Sequence, residues 1–302
     1  MPSLFLYLSL AQARYGKLWY SEKKGWLDHP GKSEGKRLMK MATVLRNDDY
    51  SREMDRLLRQ KISGNDKFRF VEGKEEEPEL VISIGGDGTL LEAVHEYGFG
   101  PQYVGIHTGH LGFYADWHPD ELDEFVEALN QVQPLVVEYP CVECCITTVS
   151  GEHHAKWALN ELVIRNASLS TLVTCVFING EEFETFRGDG LIVSSPSGST
   201  AYNKAVDGAI VHPSIEAIQL SEIASINNQA YRTINSSLVL PQHHVVELIV
   251  MNPEIMIGLD REQAVWKGVR SIVCHVGRQK VKFARYKKLP FWRRVRKSFI
   301  TG

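Results

Sequence analysis

The chain has 302 residues, enough for one large domain or two of medium size, each burying its own core. Its apolar fraction of 43% and charged fraction of 24% are ordinary for a globular protein, and a formal charge of −3 gives no reason to expect nucleic acid as a partner. No apolar run approaches the roughly 18 residues of a membrane span. Five cysteines, an odd number, fit a reducing, cytoplasmic setting better than a disulfide framework.

Residues 1–38 stand apart from the rest. Residues 4–10 followed by Ala11 and Ala13 mimic a secretory apolar region, but no basic segment precedes them. Gly25 and Gly31-Lys32-Ser33 approach a nucleotide P-loop, yet the spacing is too long and no buried strand leads in. The plainer expectation is a translated leader. Glu34-Gly35-Lys36 requires a purine-dominated message, which serves as a ribosome-binding site just ahead of Met39, so the natural start falls at Met39 or Met41.

From Met39 the pattern is orderly. Residues 41–45 read as a strand. A helix follows over 48–61, with Met54, Leu57, Leu58 and Ile62 at helical spacing. Residues 68–71 are extended, 74–79 form a charged loop, and 80–84 are a buried strand running into Gly85-Gly86-Asp87-Gly88-Thr89. Leu90, Leu91, Val94 and Tyr97 mark the face of the next helix; a strand over 103–106 and a helix over 121–129 complete the series. Strands alternating with helices at this spacing predict a parallel α/β domain over 39–138.

Beyond residues 134–140 the texture changes to strands separated by turns, at 144–149, 162–165, 172–178, 182–186, 191–194, 238–240, 245–250, 255–258 and 271–275. They predict a β-rich, sandwich-like second domain over 139–280, with one short helical candidate at 215–217. Cys141 and Cys144 have C-x-x-C spacing, but no second pair follows, and buried structural thiols are the expectation. In the tail, Trp292, Val295 and Phe299 predict the apolar face of a closing helix whose basic side is solvated; binding to a membrane or an anionic partner is the sharper alternative.

Strand, glycine turn and helix bring backbone amides and a positive helix end to a phosphate. A carboxylate repels phosphate, so Asp87 makes sense there if it handles a proton or a metal beside it, which points to phosphoryl transfer. A helix-capping role is the bland alternative. Gly85, Gly86, Gly88 and Thr89 form the phosphate-binding loop in this reading. His107 and His110 sit in the glycine loop after a strand, where ordinary loop packing is expected over a metal site.

Three further segments narrow the reading: Gly105 to Asp116 (GIHTGHLGFYAD), Ala158-Leu159-Asn160-Glu161, and Arg187 to Tyr202 (RGDGLIVSSPSGSTAY). In this order the set resembles the NAD kinase family, in particular the form found in Gram-positive bacteria, from Met39 to the C-terminus, including Phe291 to Val295 and Ser298 to Ile300. The resemblance implies a Rossmann-like N-terminal domain, a β-rich C-terminal domain, and a tail, 281–302, returning to the first. It implies ATP (or another phosphoryl donor) with Mg²⁺ or another divalent cation, no tightly bound prosthetic group, a homo-oligomer (tetramer or dimer), and transfer of the γ-phosphoryl group to the 2′-hydroxyl of the adenosine ribose of NAD.

By the same resemblance Asp87 accepts the hydroxyl proton, with Gly88 beside it. Asn160 and Glu161, otherwise readable as a turn, bond ribose hydroxyls and the nicotinamide side. Arg187 and Asp189 contact the adenosine side. Thr200, Ala201 and Tyr202 admit a planar base, and Ala224 lines an adenine or nicotinamide pocket. Ala205 stands where the family generally has serine, and Asp207 where it generally has glycine. A lipid or sugar-phosphate kinase explains only the glycine turn; a non-catalytic dinucleotide sensor draws on Ala205 and Asp207; a dehydrogenase is disfavoured for want of G-x-G-x-x-G. Protein made from its own promoter is expected to begin at Met39 or Met41, which N-terminal sequencing checks; a start at Met1 or Pro2 would remove the leader assignment.

Overall fold

The computed structural model describes residues 38–109, 112–168 and 170–301. Apart from Leu38, the expected leader lies outside these residues, as does His110. The first half is built from β1 (Met39–Leu45), α1 (Asp49–Ile62), β2 (Phe68–Phe70), β3 (Leu80–Gly85), α2 (Asp87–Tyr97), β4 (Gln102–His107) and α3 (Leu122–Gln131). Asp48 opens α1 by accepting the Ser51 amide at 2.8 Å. The four strands pair in parallel in the order β2-β1-β3-β4. Because side chains alternate across a strand, Met41, Ile82, Ile84, Val104 and Ile106 pack with residues of α1 and α3, while Ala42, Val81 and Tyr103 pack with those of α2. A sheet covered on both faces explains why residues 80–84 read as an unbroken apolar run.

The second half comprises β5 (Leu135–Thr148), β6 (His153–Ala158), β7 (Glu161–Asn166), β8 (Leu172–Ile178), β9 (Glu181–Gly188), β10 (Gly190–Ser194), the one-turn α4 (Tyr202–Ala205), β11 (Ala217–Ile223), β12 (Leu238–Pro241), β13 (Val245–Val250), β14 (Glu254–Leu259), β15 (Glu262–Lys267) and β16 (Val269–Arg285), closed by α5 (Phe291–Phe299). Six strands form one sheet, β12-β11-β10-β7-β14-β15. The others extend the parallel sheet to ten strands, in the order β2-β1-β3-β4-β16-β13-β8-β9 with β5 and β6 attached beside β16. Val142, Ile146 and Leu248 of the larger sheet meet Leu162, Leu191 and Ile257 of the smaller one, giving the sandwich core.

The seam is β16, 17 residues long. It runs antiparallel to β5 along most of its length, then pairs in parallel with β4 at Lys282 and Phe283. One strand thus joins the two halves and delivers Arg285 and helix α5 to the end of the parallel sheet.

Several expectations change. Ala217 opens β11 and pairs with β12, so residues 215–217 hold no helix; three residues are too few for periodicity to discriminate. Strands β6, β11 and β15 escaped sequence reading because their burial does not follow an apolar alternation: β6 and β15 are mostly exposed, and β11 buries Gln219 and Ser221. Cys141 and Cys144 fall into different cores, as residues three apart on a strand must, and burial pushes the Cys144 thiol up to about 12. The tail does form a helix, but Trp292 is 56% exposed and Arg294 only 2%. The side expected to be solvated therefore contains the buried residue, because a carboxylate lies beneath it.

Phe283 sits at the seam, fully buried, with its ring stacked on Tyr114 (centroids 5.4 Å apart, 10° between planes) and against Tyr139 at 4.7 Å. Phe283→Ala is expected to cost about 3–5 kcal/mol in denaturant unfolding; a loss under about 1 kcal/mol would mean that the seam collapses around the missing ring.

Candidate active site

The glycine turn joins β3 to α2. Gly85 still belongs to the strand, and the Thr89 side chain fills the space a Cβ would need there. Gly86 precedes the helix with nothing within 4 Å of a Cβ position, so its face is open to a ligand. Its carbonyl accepts the Thr89 and Leu90 amides at 3.0 and 3.3 Å. Asp87 is therefore the first helical residue rather than the cap.

Its carboxylate turns to a different segment. Oδ2 accepts the Phe113 amide at 2.7 Å and Oδ1 the Tyr114 amide at 3.2 Å. A side chain at Gly112 would occupy the space the carboxylate fills. Residues 113–116 are themselves held in place. Asp116 and Trp117 amides each donate to the Gly105 carbonyl at 3.1 Å, and a Cβ on Gly105 would come within 2.7 Å of Ala115 Cβ. Arg285 donates to the Tyr114 carbonyl at 2.7 Å and to Asp116 at 2.9 Å, while Arg294 donates to the Ala115 carbonyl at 2.9 Å and pairs with Asp116.

Tyr114 also links Asp87 to the second cluster, since its hydroxyl donates to Asn160 Oδ1. Asn160 and Glu161 lie where β6 passes into β7, and both are buried. Asp260, in the β14–β15 turn at φ +52°, accepts the amides of Leu159, Asn160 and Glu161 at 2.8, 2.6 and 3.2 Å. Its Oδ2 lies 2.7 Å from His95 Nε2 on α2, whose ring stacks on Trp157 at 4.5 Å. Burial, the Asp260 charge next, pushes the Glu161 carboxyl up to about 8 against the pull of the Tyr202 amide. Glu161 Oε2 is buried with no hydrogen-bond partner among the described residues.

The small-residue loop packs onto the same segment. Ser195 and Ser197 hydroxyls donate to the Leu159 carbonyl at 2.5 and 3.0 Å, and Gly198 lies against the Asn160 backbone. Thr200 Oγ1 donates to the Ser197 carbonyl at 3.0 Å, Ala201 enters α4, and Tyr202 begins it. Ala205 ends that turn, and Asp207 follows at φ +59°, a left-handed conformation that suits glycine and that aspartate tolerates. The departure at Asp207 is thus accommodated by the backbone.

Arg187, Asp189 and Ala224 gather elsewhere, at the β9–β10 corner. The Arg187 guanidinium lies 4.4 Å from the Tyr231 ring centroid, the Asp189 amide donates to the Ile223 carbonyl at 2.9 Å, and Ala224 adopts φ +46° against Gly188. His107 points Nδ1 at the Gly109 carbonyl, 3.0 Å away, and meets the His118 ring edge-on at 5.0 Å. Burial lowers its pKa.

The sequence did not single out Tyr114, Asp116, Asp260, Arg285 or Arg294, nor two cations beside the glycine turn. Arg261 donates to the Gly88 carbonyl at 2.8 Å, and the Arg46 guanidinium reaches within 3.8 Å of a Gly109 Cβ position. Tyr114 and Asp116 fell inside one motif of the resemblance and Arg294 inside another; the others come together only through folding.

Two family descriptions match: the ATP-NAD kinase N-terminal domain over residues 36–133 and the ATP-NAD kinase C-terminal domain over 159–285. NAD kinase of Geobacillus stearothermophilus is 54% identical over 231 residues, 75% of this chain and 85% of that protein. NAD kinase 1 of Oceanobacillus iheyensis is 47% identical over 268 residues, 87% of this chain and 99% of that one. Among solved structures, yeast NADH kinase complexed with NADH superposes with a TM-score of 0.76 at 18% identity, covering 87% of this chain and 88% of the other. An NAD kinase from Archaeoglobus fulgidus in complex with ATP gives 0.67 at 21%, covering 83% and 95%. The family matches take in both the Asp87 turn and the Asn160–Glu161 segment that Tyr114 ties together, and with relatives this similar over most of both chains, the chain belongs to the NAD kinase family.

Proposed function

We propose that this chain transfers the γ-phosphoryl group of ATP to the 2′-hydroxyl of the adenosine ribose of NAD, giving NADP. The observation that carries the reading is the Asp87 carboxylate, fixed by two loop amides beside an open glycine turn. A carboxylate has about four lone-pair sites, so two amide bonds leave capacity for a hydroxyl proton. Asp87 accepts that proton and orients the 2′-oxygen towards the phosphorus, since phosphoryl transfer depends on alignment and charge neutralisation.

The ATP phosphates lie against Gly86 and Gly88 at the start of α2, with Thr89 in the first turn and with Arg46 and Arg261, which are paired with Asp48 and Glu92, close to the turn. Mg²⁺ enters as part of the nucleotide substrate, held mainly by phosphate oxygens. Asn160 and Glu161 hold ribose hydroxyls. A glutamic acid still protonated at neutral pH donates a hydrogen bond that a carboxylate cannot, and its unpartnered buried oxygen suits that role. Thr200, Ala201 and Tyr202 border a base, with Ala205 leaving a hydroxyl-free position at the end of that turn. Arg187 and Asp189 serve the adenosine side and Ala224 lines an adenine or nicotinamide pocket, in a homo-oligomer, a dimer or tetramer, in the cytoplasm.

NADP formation from NAD, ATP and Mg²⁺, read with an NADP-specific dehydrogenase, tests the reaction itself. Asp87→Asn is expected to lower kcat by about 10²–10⁴-fold while calorimetry finds NAD affinity within about threefold. Turnover at the parent rate would take the proton-accepting role away from Asp87.

Glu161 adds a pH signature. Its folded pKa of about 8 exceeds the ordinary 4.5, so between those values the folded chain holds a proton the unfolded chain has lost. The carboxyl's contribution to stability is complete below 4.5 and is lost as pH rises to about 8. Glu161→Gln, always neutral, is expected to gain on the parent by about 1 kcal/mol per pH unit across that window. Unfolding at pH 5 and pH 8 checks this; a constant difference would mean that Glu161 ionises normally in the folded chain.

A further inference from the structure

We infer that helix α5 is a positioning element of the reaction, with Arg294 setting the 113–116 segment that places both the Asp87 carboxylate and Asn160. The inference rests on the reading of Asp87 as proton acceptor.

Arg294 is 2% exposed and Asp116 3%, so their ion pair is out of water. The guanidinium fork bonds two points of one segment, the Ala115 carbonyl and the Asp116 carboxylate. Two residues earlier, the Phe113 and Tyr114 amides hold Asp87, and the Tyr114 hydroxyl holds Asn160. Helix α5 grips the segment a second way. The Phe113 ring lies 6.3 Å from Phe291 and 5.5 Å from Phe299, both on this helix. The residue whose amide donates to Asp87 is thus held by α5 through its side chain. Lys204 of α4 lies 4.7 Å over the Phe299 ring, so α5 also touches the turn that follows the base-bordering loop.

Charge balance favours a role beyond neutralising Asp116. Two buried or nearly buried guanidiniums, Arg285 and Arg294, meet that one carboxylate. The cluster has an excess of positive charge, and the Asp87 carboxylate raises the Arg294 pKa against the lowering by burial. A plain structural ion pair needs one arginine. Here the second ties the helix to the backbone segment carrying the Asp87 ligands. Movement of a reacting group by about 1 Å can cost on the order of 10²-fold in rate.

The test uses the full chain with Arg294→Met and Arg294→Lys, measuring kcat, KM for each substrate, thermal unfolding, and hydrogen exchange of the peptide spanning 112–117. For Arg294→Met we expect kcat down at least about tenfold with the KM for ATP within about threefold. Exchange at 113–114 should quicken while β3 and β4 stay protected. Arg294→Lys, which cannot bond both acceptors with a planar fork, should restore only part of kcat. The inference is overturned if Arg294→Met turns over within about twofold of the parent, or if kcat falls only in step with the unfolded fraction and protection is lost uniformly. Should Arg294→Met not fold, Arg294→Lys decides alone: a parent-like kcat and unchanged exchange at 113–114 overturn it. Asp87→Asn, assayed in parallel, separates the two readings. If that variant keeps turnover, the proton-acceptor assignment fails and the positioning inference with it. If it loses turnover while the Arg294 variants keep it, only the positioning role is lost.

Discussion

Asp116 is a carboxylate removed from water, and the arrangement of the proposed reacting centre follows from how that charge is answered. Uncompensated, such a burial costs several kcal/mol. Arg285 from the end of β16 and Arg294 from α5 both reach it, and each also bonds a carbonyl of the same segment, Tyr114 or Ala115. The carbonyls of 114–115 are thus satisfied from the C-terminal side, while the amides of 113–114 donate to Asp87. One backbone segment is held by cations on one edge and holds an anion on the other. Gly105 and Gly112 supply the space, one against Ala115 and one against the carboxylate itself.

The same logic recurs at Asp260. Its fully buried carboxylate accepts three consecutive amides of 159–161 and meets His95 on the helix that Asp87 begins. Asp87 and Asn160 are therefore connected twice, through Tyr114 on one side and through α2, His95 and Asp260 on the other. Both connections depend on β16 and its neighbours bringing the β-rich half beside the parallel sheet. A single strand shared by the two halves makes the separation between these residues a property of a continuous sheet rather than of a linker.

Much of this architecture was legible because it is local. Leu80 to Thr89 shows a buried strand, a glycine turn and a helix start within ten positions, and the helical spacing of Met54, Leu58 and Ile62 is the spacing that buries them. What was illegible is long-range and electrostatic. Asp116 finds Arg285 and Arg294 at separations of 169 and 178 residues, and Asp260 finds Asn160 at 100. No periodicity records such pairings. Periodicity also misleads in α5: it assigns the apolar residues inward, whereas the demand of a buried carboxylate turns Arg294 in and leaves Trp292 exposed. Strand β11 escaped for a related reason, since buried Gln219 and Ser221 are paid for by the Ala209 backbone and by Asn203.

The two acidic residues of the proposed site divide the chemistry by environment. Asp87 stands half-buried at the start of a helix and accepts two loop amides. Glu161 lies in a desolvated position beside the Asp260 carboxylate, with one oxygen unpartnered, and it keeps its proton past neutrality. A sugar offers neighbouring hydroxyls of the same kind. In the proposed reaction one carboxyl takes a proton and the other gives a hydrogen bond, so a single hydroxyl would be activated while its neighbour would merely be held. The selection of one oxygen would then rest on burial and backbone contacts set by Tyr114 and Asp260.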